Sequence, residues 1–347
     1  MPPCGPTVPL VIARMSRFLP ALSALVLGLL SAAPLAAECV GQNIFDTLDP
    51  ALRAEIEADT AAVPFAKGNF WRATKGDQVI TIAGTYHFDD PRHAANLAAL
   101  MPAITGASLV LVEAGPEEEK ALKAQIARDP STMIITQGPT LNQQLPPDVW
   151  KELSEAMSAR GIPPFMTAKF KPWYVLTLLS IPPCAMMQMT QEPDGLDRLV
   201  IEAAQEAGVP VGPLEPYDTL FKIFGSLTDA ELTEMLASTL AVEPMAEDYF
   251  TTLVDGYFAG ESRAAWELMR FISYDMPGYT PDQVDAEFAR MEEIVSSSRN
   301  RAWIPVLTGA AAKGPVFAAF GALHLSGKDG VLNLLQEQGF TLEELKL

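Results

Sequence analysis

Two apolar runs near opposite ends of the chain finish the same way. Ile80 to Phe88 reads ITIAGTYHF and Phe317 to Leu325 reads FAAFGALHL; each breaks at a glycine and places a histidine three residues later. The chain has three histidines, and two of them, His87 and His324, sit in this setting 237 residues apart. Short runs of Val, Ile, Phe and Ala closed by a glycine read as buried strands. A third run, SLVLVEAGP, ends at Glu113, and the helical stretch PRHAANLAALMPAITGA separates it from the first. Strand–helix–strand order predicts a βαβ unit with a parallel pair.

The remaining segments are helical for most of their length. PPDVWKELSEAMSARG carries an apolar stripe at helical spacing and stops at Gly161. KPWYVLTLLSIPPCAMMQM starts a helix near Pro172, with Trp173 and Tyr174 read as core and Met186, Met187 and Met189 as packing. GLDRLVIEAAQEAGVPVGPLEP is a helix leading through Gly208 into a short strand that ends at Glu215. Helix follows helix from about Ser226 to Ser298. The chain closes with the helix RNRAWIPVLTGAAAKG, the strand PVFAAFGALHL, the helix GKDGVLNLLQEQG and a short last segment, FTLEELKL. The fold class is therefore α/β: a mixed, largely parallel central sheet formed by N- and C-terminal strands, with a helical insertion over about 140–298. One domain over 38–347 accommodates this.

The segment before it is set aside. ARMSRFLPALSALVLGLLSAAPLAAEC has Arg14 and Arg17, an apolar run and then small residues before Glu38, the layout of a secretory signal peptide starting at Met15 and cut near Ala37. Residues 1–37 are assigned to it, which predicts a periplasmic or secreted protein with no stable membrane insertion after cleavage. A retained anchor is the competing reading, since Phe18 to Ala37 is long enough to span a bilayer. The mature chain then keeps two cysteines, Cys39 and Cys184, and in an exported protein such a pair predicts a disulfide. Net charge is −19, and −21 once Arg14 and Arg17 are removed. Such a surface repels phosphate backbones, so nucleic acid is excluded as a partner.

His87, Glu113 and His324 each stand at the end of a predicted strand. Ligands of open α/β sheets gather at the carboxyl ends of parallel strands. Two imidazoles and a carboxylate meeting there form a sensible set for a divalent ion, with positions left for water. Each also has a plainer reading as a hydrogen-bonded or solvated residue. His93, on the helix after His87, is expected at the surface. No G-x-S-x-G supports a serine hydrolase, and no G-x-G-x-x-G follows the first strand to support a dinucleotide fold.

AGTYHF with LVLVEAG downstream, and FGALHLSGKDGVLNLLQEQGF near the C-terminus, resemble the TraB/PrgY/GumN family, which includes the Tiki proteins and has two Gly-x-x-His motifs with a glutamate between them. KPWYVL, GLDRLVIEAAQEAGVPVGPLE and SRNRAW extend the resemblance, which runs from about Gly41 to the C-terminus with a weaker helical middle. Tyr86, the VEAG sequence and Ser298 depart from the usual pattern without removing a ligand. The family's motif positions fall on Gly84 and His87, Glu113, Gly321 and His324, with its Arg-Asn pair on Arg299 and Asn300 and its Leu-Glu on Leu214 and Glu215.

For the Tiki branch the resemblance implies a metal-dependent, peptidase-like hydrolase, with manganese or cobalt favoured and zinc as the alternative; for the GumN-like branch it fixes no reaction. The expected roles are His87, Glu113 and His324 as metal ligands, Glu215 or Glu113 as base, and Arg299 or Asn300 as oxyanion donors. Arg299 and Asn300 have an equal structural reading as a buried helix-start network tying strands together, and for Glu215 the structural reading is preferred. Expected substrates are a peptide, a protein or a small molecule. The rival functions are a binding or sequestering protein without turnover, and a metallohydrolase of an ester or lactone.

Overall fold

Strand β1 (Phe70–Lys75) and strand β2 (Gln78–Thr85) form an antiparallel hairpin, turning through Gly76 at φ 57°. Strands β3 (Leu109–Val112), β4 (Val211–Pro213), β5 (Val316–Gly321) and β6 (Thr341–Glu344) complete one sheet in the computed structural model of the chain. That model describes residues 39–186, 195–225, 227–276 and 278–347. The segment read as a signal peptide, and Met187 and Met189, lie outside them. Among the described residues the strand order is β4-β3-β5-β2-β1-β6, with β5 parallel to both β2 and β3, β3 parallel to β4, and β1 antiparallel to β2 and β6.

The two runs that end in Gly-x-x-His are therefore direct neighbours. The parallel arrangement of β2 and β3 agrees with the sequence, but β5 lies between them. An apolar strand from the far end of the chain supplies the partner that their short connection leaves open. The hairpin strand β1 and the edge strand β6 carry weaker sequence signals, because both include charged and exposed residues.

Strands covered on both faces read as continuous apolar runs rather than alternating ones. Along β5, Ala318 and Phe320 face one core while Phe317 and Ala319 face the other. The first core is closed by Trp303, Ile304 and Leu307 of helix Ser298–Ala311 and by helix Val331–Glu337. The second is closed by helices His93–Thr105 and Leu196–Glu206. Each fully buried Ile or Phe contributes about 1.5–3 kcal/mol. The central helices pack a separate core around Leu141, Leu153, Met157 and Leu236. Trp173 joins it as a partly buried member, as expected for core. A disulfide joins Cys39 to Cys184. No helix among the described residues is long and apolar enough to cross a membrane.

Candidate active site

Register decides where the chemistry collects. Thr85 pairs with Gly321 and Val112 with Ala319, so β2, β5 and β3 reach the same carboxyl edge nearly level. His87, Glu113 and His324 emerge there and line one cavity of about 340 Å³. Helices Ala246–Phe258 and Ser262–Ser273 contribute Leu253, Tyr257 and Trp266 to its walls, and the π-helical turn Glu293–Ser297 contributes Val295 and Ser296.

Gly321 measures how tightly the three converge. A Cβ at this position would lie 3.4 Å from Glu113 Oε1, 3.6 Å from His87 Nε2 and 3.7 Å from His324 Cδ2. One point sees all three side chains, and glycine leaves it open. Gly84 serves the other motif: a Cβ there would stand 2.6 Å from Leu325 Cδ1 and 3.1 Å from Ala322 Cα. The duplicated glycines thus permit close approach between the motifs.

His324 is 7% exposed, on the short turn Ala322–His324. Its Nδ1 lies 2.6 Å from Asn300 Oδ1. The Asn300 amide donates through Nδ2 to the carbonyls of Asp329 (2.9 Å) and His324 (3.3 Å), which turns Oδ1 toward the ring. Nδ1 must then carry the hydrogen, and Nε2 keeps its lone pair. Burial, reinforced by Arg299 and His87 against the pull of Glu113, lowers this histidine to about 4. At neutral pH the ring is uncharged, the state a metal ligand requires.

His87 is held differently. Gly195 abuts its backbone so closely that a Cβ there would come 2.5 Å from the His87 carbonyl, and Leu196 N–H donates to the Tyr86 carbonyl at 3.0 Å. This docks the N-terminus of helix Leu196–Glu206 beside the motif and sets Asp197 Oδ1 3.2 Å from His87 Nδ1. Burial opposes the charged ring, but Asp197 and then Glu113 outweigh it and raise His87 to about 9. Its side chain is 59% exposed, so water screens part of both effects. Asp197 lies in GLDRL, and the Gly-Leu-Asp start of a helix after a long gap carries no signal of its neighbour.

Arg299 ties the rest together. Nε and Nη2 grip the Glu215 carboxylate at 2.8 and 2.7 Å, Nη2 also reaches Glu113 Oε2 at 2.5 Å, and Nη1 donates to the Val295 carbonyl at 3.0 Å and to His324 Nε2 at 3.1 Å. A guanidinium has five N–H donors, and all five are used. Burial works against ionised Glu113, but the charges around it, with Arg299 permanently cationic, and the Gly321 N–H at 2.7 Å hold it down at about 2. Glu215 also accepts from Trp303 Nε1 at 3.0 Å, so its oxygens are committed to anchoring Arg299. Asn300 likewise spends its amide on orienting His324. The sequence offered both an enzymatic and a structural reading for these residues; their contacts here are those of a buried network directly behind the cavity.

The donor set suits a divalent ion: His87 Nε2, Glu113 Oε1 and the His324 ring surround one open point. Among the described residues no three His, Cys, Asp or Glu side chains are closed to ligating positions, and Arg299 is the group bonded to His324 Nε2.

His93 differs from expectation. It is 1% exposed, with Nε2 3.0 Å from the Phe88 carbonyl and its ring among Tyr86, Tyr257 and Phe258. It is the first residue of its helix and is covered by Tyr86 after β2 and by Tyr257 and Phe258 of helix Ala246–Phe258 rather than facing water. Burial lowers its pKa.

The Gly-x-x-His pair, the intervening glutamate and the Arg-Asn pair all converge on one sheet edge, and the TraB/PrgY/gumN family model matches residues 69–344. The chain belongs to the TraB/PrgY/gumN family. The match begins beside β1 and ends in β6, so it spans the whole sheet and every residue of the cavity described above. No curated protein sequence matches the chain.

Proposed function

We propose that the chain is a metal-dependent hydrolase of peptide or amide bonds, with His87, Glu113 and His324 as ligands of one divalent ion. The observation that carries this reading is the single point beside Gly321 from which Glu113 Oε1, His87 Nε2 and the His324 ring are all within 3.7 Å. A bound ion would acidify water and polarise a carbonyl. Manganese or cobalt is the first expectation and zinc the second.

The chain's own residues have distinct tasks. Asn300 accepts from His324 Nδ1, and Asp197 stands beside His87 Nδ1. For both Nε2 atoms to serve as ligands, His87 must give up the proton that Asp197 and Glu113 favour on it, and His324 its Arg299 contact, to the bound ion. Glu113 stays ionised at neutral pH. Four of the five Arg299 donors go to carboxylates or to a helix carbonyl. The fifth, on His324 Nε2, is the one the guanidinium can redirect toward a developing oxyanion. We assign the mature chain to the periplasm or the cell exterior, on the layout of residues 1–37 and on a disulfide that needs an oxidising compartment.

The test is metal content of the mature protein purified without chelators, followed by a peptide-library cleavage screen with manganese and cobalt. About one divalent ion per chain is expected, lost in a folded His87→Ala/His324→Ala variant. Absence of bound metal, together with no thermal shift on adding any divalent ion, sinks this reading. Asp197→Ala is expected to weaken manganese binding about 10–100-fold with the melting temperature nearly unchanged, read by titration calorimetry. Unchanged affinity removes Asp197 from the site.

One observation favours a second reading. Arg299 already supplies a cation to both Glu113 and His324 Nε2, as a binding protein without turnover would arrange it. That protein would bind its ligand equally well with and without divalent ions and release no product.

A further inference from the structure

A second cavity, of about 310 Å³, adjoins the first, and Trp266 lines both. The π-helical turn Glu293–Ser297 also divides them: Ile294 faces the second cavity, while Val295 and Ser296 face the first. Extra residues of this kind in a helix re-aim side chains and are frequent at functional sites.

The walls of the second cavity are largely apolar and deformable, with Glu231, Glu234, Glu287 and Arg290 as their charged members. Met235, Met269, Met276 and Met291 line it with Phe288 and Trp266, which meet edge to face at 5.4 Å. Unbranched thioether side chains adapt to the shape of whatever they enclose. The wall hydroxyls are already used inside the protein. Thr239 and Ser273 each donate to a carbonyl of their own helix at 2.8 Å, Ser238 lies 3.3 Å from Tyr279 Oη, and Tyr279 donates to Glu234 at 2.9 Å. Glu231 and Arg290 pair with each other. A peptide entering this space would leave its N–H and C=O groups without these partners, which is costly in an apolar site. A hydrocarbon chain asks for none.

We propose that this cavity takes the acyl chain of the substrate, so that the bond cut is the amide of an N-acylated amine or peptide. This rests on the hydrolase reading above and narrows its substrate class. The acyl carbonyl would sit beside Gly321, and the chain would run past the Trp266 indole into the methionine-lined space. The reaction consumes one water: the carbonyl carbon gains hydroxyl, the C–N bond breaks, and the nitrogen leaves with the proton, giving a fatty acid and a free amine.

The test is binding of acetyl-, hexanoyl- and dodecanoyl-glycinamide to the mature chain without added metal, by calorimetry, with a dodecanoyl chain bearing terminal bromine as a fluorescence quencher. Affinity is expected to rise roughly two- to fourfold per methylene taken up. The brominated probe is expected to quench tryptophan emission in the wild type and to lose most of that quenching in Trp266→Phe, compared at probe concentrations that calorimetry shows to saturate each protein. Equal affinity for the acetyl and dodecanoyl probes overturns the inference, as does quenching that persists unchanged in Trp266→Phe. Cleavage is scored separately with manganese and cobalt. Chain-length-dependent binding with no cleavage supports the acyl site and sinks the hydrolase reading. Equal binding and equal cleavage of all three sinks the acyl site alone.

Discussion

Arg299→Leu is expected to cost about 3–5 kcal/mol of stability at neutral pH, the range for removing one partner of a buried ion pair. The side chain is 11% exposed and lies between Glu113 and Glu215, which are 22% and 11% exposed. Without it, two carboxylates face each other with no fixed cation, and His324 Nε2 loses its donor. Urea denaturation is the measurement, and Glu113→Gln/Glu215→Gln in the same background is expected to restore a large part of the loss. A change below about 1 kcal/mol would class the cluster with ordinary surface pairs.

The pH profile carries a second signature. Glu113 titrates at about 2 in the folded chain against an ordinary 4.5, so its contribution is complete above 4.5 and lost as pH falls through about 2. His324 titrates at about 4 against 6.5, so its contribution is complete above 6.5 and lost as pH falls through about 4. Each difference corresponds to about 3 kcal/mol at most. The wild type should therefore lose stability in two acid steps. Arg299→Leu should keep the upper step, whose largest cause is burial of the ring, and shrink the lower one, which His324, His87 and the Gly321 N–H still sustain.

The sequence exposed this site better than it exposed the wiring behind it. Apolar runs ending in glycine and histidine announce buried strands and their chemistry together, because a strand covered on both faces leaves few residue choices and glycine is forced where two backbones meet. That logic located His87, Glu113 and His324 and the helix-rich middle. It could not order the strands: β5 inserts between β2 and β3 because the sheet is assembled from chain ends, a long-range choice with no local mark. Nor could it find Asp197, whose role depends on a helix N-terminus docking against His87 from 110 residues away. His93 departs from its expected surface position for a related reason. Its burial comes from Tyr257 and Phe258, which belong to a distant helix that helical spacing around His93 does not mention. Residues whose surroundings are local were legible, and residues defined by a remote partner were not.

The disulfide gives the other large effect. The Cys39→Ser/Cys184→Ser double variant is expected to be less stable than the wild type by roughly 5 kcal/mol in the chain-entropy model, less where the unfolded chain stays compact. The bond spans 145 residues, and a cross-link over that length removes much of the freedom of the unfolded chain. Both of its ends are also fixed by other contacts. Beside Cys39, Gln42 N–H donates to Asp248 at 2.7 Å and Ile44 N–H to Thr252 at 2.9 Å, tying the segment to helix Ala246–Phe258. Before Cys184, the buried Arg160 donates to the carbonyls of Leu179 at 3.1 Å and Ile181 at 2.7 Å while gripping Glu243. The folded chain should hold its shape without the bond, so the loss should fall on the unfolded side of the equilibrium. Near-ultraviolet circular dichroism without denaturant is therefore expected to match the wild type while the urea midpoint falls sharply. A lost near-ultraviolet signal would mean that the bond, rather than these hydrogen bonds, holds helix Ala246–Phe258, and with it Tyr257, against the histidine-lined cavity.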